Sequence, residues 1–162
     1  MTGEKRTISL LVENVPGVLS RIAGLFSGRG FNIEGIAAAP TMDRLVTRIT
    51  ITTTGDESIM EQINKQLNKL VNVIKVQDLT ETDFVEREMA LVKVKAEPTN
   101  RAEILRLVDI FRCKIVDVSP SHYTIEVTGT GEKLAALLEL LKMVGIKEIA
   151  RTGSIALTRE KK

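Results

Sequence analysis

Aromatic residues are scarce in this chain. It has four Phe, one Tyr and no Trp, 3% of 162 residues. That leaves no platform on which nucleic-acid bases could stack. A single cysteine, Cys113, excludes a disulfide framework and a multi-cysteine zinc site. A single histidine, His122, leaves no second imidazole to share a metal and little room for a His-based triad. Excess charge is missing as well: the net charge is +2, with acids and bases interspersed, which argues against a strong grip on phosphate backbones. No apolar run approaches the ~18 residues of a membrane span. "MTGEKR" leads into a strand pattern with no apolar signal region, so a cytoplasmic location is expected, with organelle import left open. What is abundant is apolar side chain, 43% of residues, enough to bury cores.

One pattern is written twice. "TISLLVE" reads as a short buried strand bounded by Asn14 and Pro16. Val18, Leu19, Ile22, Leu25 and Phe26 then recur at helical spacing, and Gly30 sits where a left-handed cap belongs. "NIEGIAAAP" and "LVTRITITTT" are two further strands. "GDESIMEQINKQLNKL" is a helix capped by Asp56 or Ser58, with Ile59, Ile63, Leu67 and Leu70 as its stripe. "VIKVQDL" is a fourth strand. After "TETDF" the order repeats. "REMALVKVKA" is a strand whose inner positions are read as Met89, Leu91 or Val92, and Val94. A helix opens at Asn100 and carries Ile104, Leu107, Val108 and Phe111. Two strands follow across Pro120, then a helix closed by Gly145 and one final strand, "IKEIARTGSIAL".

Two βαββαβ units, residues 1–80 and 81–162, predict an α+β protein made of two ferredoxin-like domains. In each, two helices cover one face of a four-stranded antiparallel sheet. The other face then needs cover from a domain, a subunit or a ligand.

No constellation of catalytic side chains stands out. Cys113 reads as a small apolar filler and His122 as a hydrogen-bonded surface residue. Glu34 and Glu126 fall at solvent-facing strand positions, and no carboxylate pair suggests acid–base work. "GRG" at Gly28–Gly30 is a helix ending. "TGTGEK", Thr128–Lys133, is either a tight strand-to-helix turn or an anion site. The RNA-recognition motif shares the βαββαβ plan but needs aromatics that "LVTRITITTT" does not carry. The small acyl-phosphate hydrolases share it too. They need an arginine beside an anion cradle, and Arg21 and Arg29 lie beyond the opening turn of their helix.

The stretch "ENVPGVLSRIAGLFSGRGFNIEG" offers one place for a ligand. The turn Asn14-Val15-Pro16-Gly17-Val18 puts unpaired helix N–H groups at its tip, where a carboxylate fits. Gly17 allows close approach to the backbone. Asn14 and Asn32 each carry a carbonyl that can accept from an ammonium. Val15, Val18 and Leu19 can line an apolar slot. These parts describe a receptor for a small apolar α-amino acid. The same residues also fit a purely structural reading: Asn14 caps the helix, Gly17 makes a turn, Asn32 starts a strand.

"ISLLVENVPGVLSRIAGLFSGRGFNIEGI" resembles the ACT domain. "EQINKQLNKLVNVIKV", "FVEREMALVKV", "IFRCKIVDVSPSHYTIEVTGT" and "KEIARTGSIALTR" extend the resemblance from Arg6 to Arg159, to the small regulatory subunits of acetolactate synthase (acetohydroxyacid synthase). The resemblance implies an N-terminal ACT domain and a C-terminal ferredoxin-like domain peculiar to that family. It implies a homodimer through the ACT domain, with valine or a related branched-chain amino acid bound between two protomers. Asn14 and Gly17, with neighbouring backbone N–H groups such as that of Val18, would meet the ligand from one protomer and Asn32 from the other, while Leu19 and Ile33 would supply apolar contact. Ala37-Ala38-Ala39 fits close packing at the dimer seam.

The resemblance also implies a non-catalytic chain. It would activate a large catalytic subunit and confer feedback inhibition in branched-chain amino-acid biosynthesis. Thiamine diphosphate, FAD and Mg would then reside on that partner, with no cofactor or metal on this chain and no nucleic-acid or membrane partner. Val94, Val116 and Val127 are the candidates for the face that docks the catalytic subunit. The competing reading is a stand-alone ACT-type amino-acid sensor acting on another enzyme or regulator.

Overall fold

The computed structural model describes residues 3–162. In chain order its elements are β1 (Glu4–Glu13), α1 (Val18–Gly28), β2 (Ile33–Pro40), β3 (Val46–Gly55), α2 (Glu57–Asn68) and β4 (Val73–Asp78). They continue as β5 (Phe84–Lys95), α3 (Arg101–Ile110), β6 (Lys114–Val118), β7 (His122–Gly129), α4 (Gly131–Val144), β8 (Ile146–Arg151) and β9 (Ile155–Thr158). Two compact units emerge. The first joins the chain up to Val85 with Gly153–Lys162, and the second is Glu86–Thr152. The second unit is shorter than the expected domain 81–162, because the last ten residues return to the first unit.

In the first unit β1 is central, antiparallel to both β3 and β4, and β2 lies outside β3, giving the order β2-β3-β1-β4. The register sets Ile8 opposite Ile51 and Leu10 opposite Ile49, so these side chains share one face. Val18, Ile22 and Phe26 of α1 and Met60, Ile63 and Leu67 of α2 close over that face. Leu25, Ile59 and Leu70 pack at its rim, whereas Leu19 is 48% exposed. Two bonds end α1, Gly30 N–H to Ser27 C=O (3.1 Å) and Phe31 N–H to Phe26 C=O (2.9 Å). With Gly30 at φ 70° this is a Schellman ending, as the glycine predicts. Asp56 caps α2 by accepting the Ile59 N–H at 2.9 Å.

The second unit repeats the plan with the order β6-β7-β5-β8. Its core joins Ala90, Val92 and Val94 of β5 to Ile125 and Val127 of β7, under Ile104, Leu107 and Val108 of α3 and Leu134, Leu137 and Leu141 of α4. Two expectations are corrected here. Met89 and Leu91 point away from this core, 37% and 43% exposed, because β5 is apolar on both faces and the pairing of Val92 with buried Ile125 turns the other face to the helices. Val94 and Val127 lie beneath the helices, at 0% and 1% exposure, so neither belongs to an open docking face; only Val116, at 52%, is exposed. α3 opens at Asn100 as expected, although the side chain bonds elsewhere: its Oδ1 accepts the Glu97 N–H at 2.8 Å and its amide donates to the Lys95 carbonyl.

The final strand is also two strands. Gly153, at φ 78°, breaks the run between β8 and β9. β9 pairs with β5, and Arg159 donates its N–H to the Asp83 carbonyl at 2.9 Å.

Candidate ligand-binding corner

β1 ends at Glu13, and the chain turns sharply before α1. Asn14 donates its backbone N–H to the Leu45 carbonyl and its side-chain amide to the Arg44 carbonyl, both at 2.8 Å. It is therefore tied to the β2–β3 hairpin and does not cap the helix. The capping position belongs to Gly17 at φ 87°, a left-handed conformation that favours glycine. No side chain caps α1 and no acidic residue lies in its first turn. The first-turn N–H groups thus lack the usual partners, and the helix dipole adds partial positive charge beside them. A Cβ placed on Gly17 would meet nothing within 4 Å, so this tip opens to space.

Beside the tip lies a groove of about 240 Å³. Asn14, Val15 and Leu19 line it together with Ala38, Ala39 and Pro40 of β2. Val15 and Leu19 form the apolar slot read from the sequence. Val18 does not: its side chain is in the core at 4% exposure, which leaves its backbone amide as its only contribution. The β2 residues of the wall were not read as site residues; the run of small side chains was their signal. A chain of bonds steadies the corner from the far side. The Asn72 amide donates to Glu13 Oε2 at 3.1 Å, and Arg21 donates to Asn72 Oδ1.

Asn32 and Ile33 lie elsewhere. Ile33 pairs with Thr53, whereas Pro40, near the groove, pairs with Thr47. Asn32 is thus about 20 Å from Asn14 along the sheet of the same chain. Its carbonyl accepts from Thr53 Oγ1 at 2.6 Å and its side chain is exposed. Ile33 is half-buried against its own core. One chain therefore brings Asn14, Gly17 and Leu19 together and leaves Asn32 and Ile33 at the opposite end of β2.

The other candidates take structural roles. Thr130 caps α4, its hydroxyl accepting the Lys133 N–H at 3.3 Å, and Lys133 Nζ donates to the Thr128 carbonyl, so the "TGTGEK" turn is filled from within. His122 Nδ1 shares a hydrogen bond with Ser121 Oγ at 2.8 Å. Cys113 packs against the second core, and burial pushes its thiol pKa up, with Lys133 opposing; such a thiol is a poor nucleophile. Among the described residues no group of three or more His, Cys, Asp or Glu side chains is placed to hold a metal ion. No described helix is long and apolar enough to cross a membrane.

Two family profiles match the chain: "AHAS small subunit-like ACT domain" over residues 8–75 and "Small subunit of acetolactate synthase" over 87–160. The probable acetolactate synthase small subunit of Archaeoglobus fulgidus is 51% identical over 98% of this chain and 99% of its own length. That of Aquifex aeolicus is also 51% identical, over 96% of this chain and 82% of its own. The crystal structure of the Thermotoga maritima small subunit superposes with a TM-score of 0.87 at 43% identity, covering 98% of this chain and 99% of the other. The chain belongs to the acetolactate synthase small-subunit family. The corner described above lies within its ACT-domain profile, as do Asn32 and Ile33. As members of this family are small subunits by name, a large catalytic subunit is the implied partner and a regulatory role follows for the ACT-bearing chain.

Proposed function

We propose that this chain is the regulatory subunit that activates the catalytic subunit of acetolactate synthase and confers feedback inhibition by valine. The observation that carries the reading is the uncapped start of α1 at Gly17, open to space beside a groove lined by Val15 and Leu19. The amino acid's carboxylate meets the first-turn N–H groups and its aliphatic side chain enters the groove. Asn14 has its amide engaged by the Arg44 carbonyl, so its Oδ1 is the acceptor it offers to an ammonium.

Each chain completes its neighbour's pocket. β2 is hydrogen-bonded to β3 on one side only, which leaves a strand edge for a second copy. An antiparallel β2–β2 pairing centred between Ile36 and Ala37 sets Ile33 of one copy opposite Pro40 of the other. Asn32 of the second copy then arrives beside the groove, which accounts for the 20 Å gap within one chain.

Thiamine diphosphate, FAD and Mg are assigned to the catalytic subunit, and the assembly to the cytoplasm. Valine inhibits if it binds the inhibited arrangement of the complex more tightly than the active one. A coupling of roughly 1–3 kcal/mol gives about 5- to 150-fold effects. The test is the activity of the catalytic subunit with and without this chain, across a valine titration. Activation together with valine-dependent inhibition is expected. Valine binding without any activation would instead favour the stand-alone sensor.

A further inference from the structure

Gly153 stands between β8 and β9 and belongs to the first unit. A Cβ at this position would lie 3.0 Å from the carbonyl oxygen of Ile36, 3.2 Å from its nitrogen and 3.3 Å from its carbonyl carbon. These are backbone atoms of β2 and cannot swing aside as a side chain can. From the other side, a Cβ on Gly35 would meet Gly153 Cα at 3.8 Å. Main chain is thus laid on main chain at Gly35–Ile36. Gly153 is at φ 78°, so conformation and space both demand glycine there. Gly17, Gly24, Gly28 and Gly30, by contrast, face open space. The segment after it is anchored: Ser154 and Ala156 are buried, at 5% and 4% exposure.

β2 is the edge strand of its sheet, paired there with β3. Its midpoint is the place where Gly153 rests, and its end, Ala38–Pro40, walls the groove. We propose that Gly153 is a positioning residue that braces the β2 backbone and so sets the geometry of the amino-acid site. This rests on the amino-acid reading above for its ligand, but the brace itself is a property of the free chain. Linkage makes the effect reciprocal: a ligand that prefers one setting of β2 also tightens the seat of Gly153.

The test uses the full chain as wild type, Gly153→Ala and Gly153→Asn. Asn tolerates a positive φ but still carries the Cβ that meets Ile36. Both variants are expected to speed hydrogen exchange at the Gly35–Ala38 amides without ligand. They should weaken valine binding at least about fivefold by calorimetry, the low end of an allosteric coupling. The activation plateau of the catalytic subunit should stay unchanged while the valine inhibition curve shifts, a split that general destabilisation would not produce. Wild-type exchange at Gly35–Ala38 in both variants overturns the brace. So does a Gly153→Asn protein that behaves as wild type while Gly153→Ala is impaired, because conformation alone would then explain the glycine. If neither variant folds, the wild type decides. Valine should slow exchange at Ser154–Ala156 together with β2, and protection of β2 alone overturns the proposal. If exchange rises in the variants but the wild type binds no valine, the brace stands and the amino-acid reading fails.

Discussion

Asn14 gives its side-chain amide to the carbonyl of Arg44 at 2.8 Å, which ties the end of β1 to the hairpin across from it. That bond fixes which atom of the asparagine remains available, namely Oδ1. Asn14→Ala removes both the tie and the acceptor. Because the residue is exposed, the expected loss of stability is about 0.5–1.5 kcal/mol in a denaturant melt. The larger effect should appear in calorimetry, with valine bound about tenfold more weakly.

Gly17 separates conformation from charge. The space around its missing Cβ is open, so Gly17→Ala meets only the left-handed backbone, about 1–2 kcal/mol of strain. Gly17→Asp adds a carboxylate beside the one a bound amino acid would present. Inhibition by valine is expected to be lost in Gly17→Asp and largely kept in Gly17→Ala, with activation retained in both. Equal valine sensitivity in Gly17→Asp and wild type would remove this corner from the mechanism.

Asn32 tests the sharing of pockets between copies. Its side chain is exposed and its fold-holding bond is made by its carbonyl, so Asn32→Ala should leave the melting curve close to wild type. Valine binding should nevertheless weaken. Mixing Asn14→Ala and Asn32→Ala chains gives a sharper result. Each mixed dimer has one of its two pockets with both asparagines intact, so binding returns at half the wild-type stoichiometry per mixed dimer, about a quarter over a statistical mixture in which half of the dimers are mixed. A pocket built within one chain predicts no recovery.

Glu88 and Arg151 hold the edge of the second unit. The guanidinium donates at 2.6 and 3.0 Å to a carboxylate only 6% exposed. Arg151→Met strands that carboxylate in the protein and is expected to lower stability by about 1–3 kcal/mol, discounted because the arginine is half exposed. The Lys93–Glu148 pair is the control. Its members are solvent-exposed, and the hydrogen bond from Lys93 lowers the Glu148 pKa. A depressed carboxylate contributes stability above its ordinary range and loses it as pH falls through the folded value. Lys93→Met should therefore change the melt little at neutral pH, and that small difference should vanish in acid and in high salt.

Much of this architecture was legible because local chemistry and fold agree. Gly30, Asp56 and Gly145 mark helix ends where the structure has them, and the spacing of Ile22 and Phe26 or Ile104, Leu107 and Val108 marks the buried stripes. What escaped depends on partners distant in the chain. β5 is apolar on both faces, so alternation alone could not say whether Leu91 or Val92 faces the helices; the answer comes from pairing Val92 with Ile125. Asn14 is equally suited to cap a helix or to bond a carbonyl 30 residues away, and only the fold selects the second. Gly153 lies inside "IKEIARTGSIAL", which reads as one strand. Its reason for being glycine is Ile36, more than a hundred residues earlier. At the corner, Gly17, Asn14 and Leu19 were visible as a group, whereas the β2 wall needed the β2–β3 register to bring it alongside.

The division of the chain has a bearing on how the protein is made. Residues Glu86–Thr152 are, in topology, an insertion between two stretches of the first unit. Synthesis proceeds from the amino terminus at about 5–20 residues per second, and domains generally fold as they emerge. The strands β1 to β4 of the first unit therefore precede the whole second unit in synthesis, and Gly153–Lys162 follows it. The ACT unit thus draws on two stretches of chain made at different times, with the residues that rest on Gly35 and Ile36 in the later one. A stop codon at Gly153 would thus take its residues from the ACT unit and leave the preceding second unit whole.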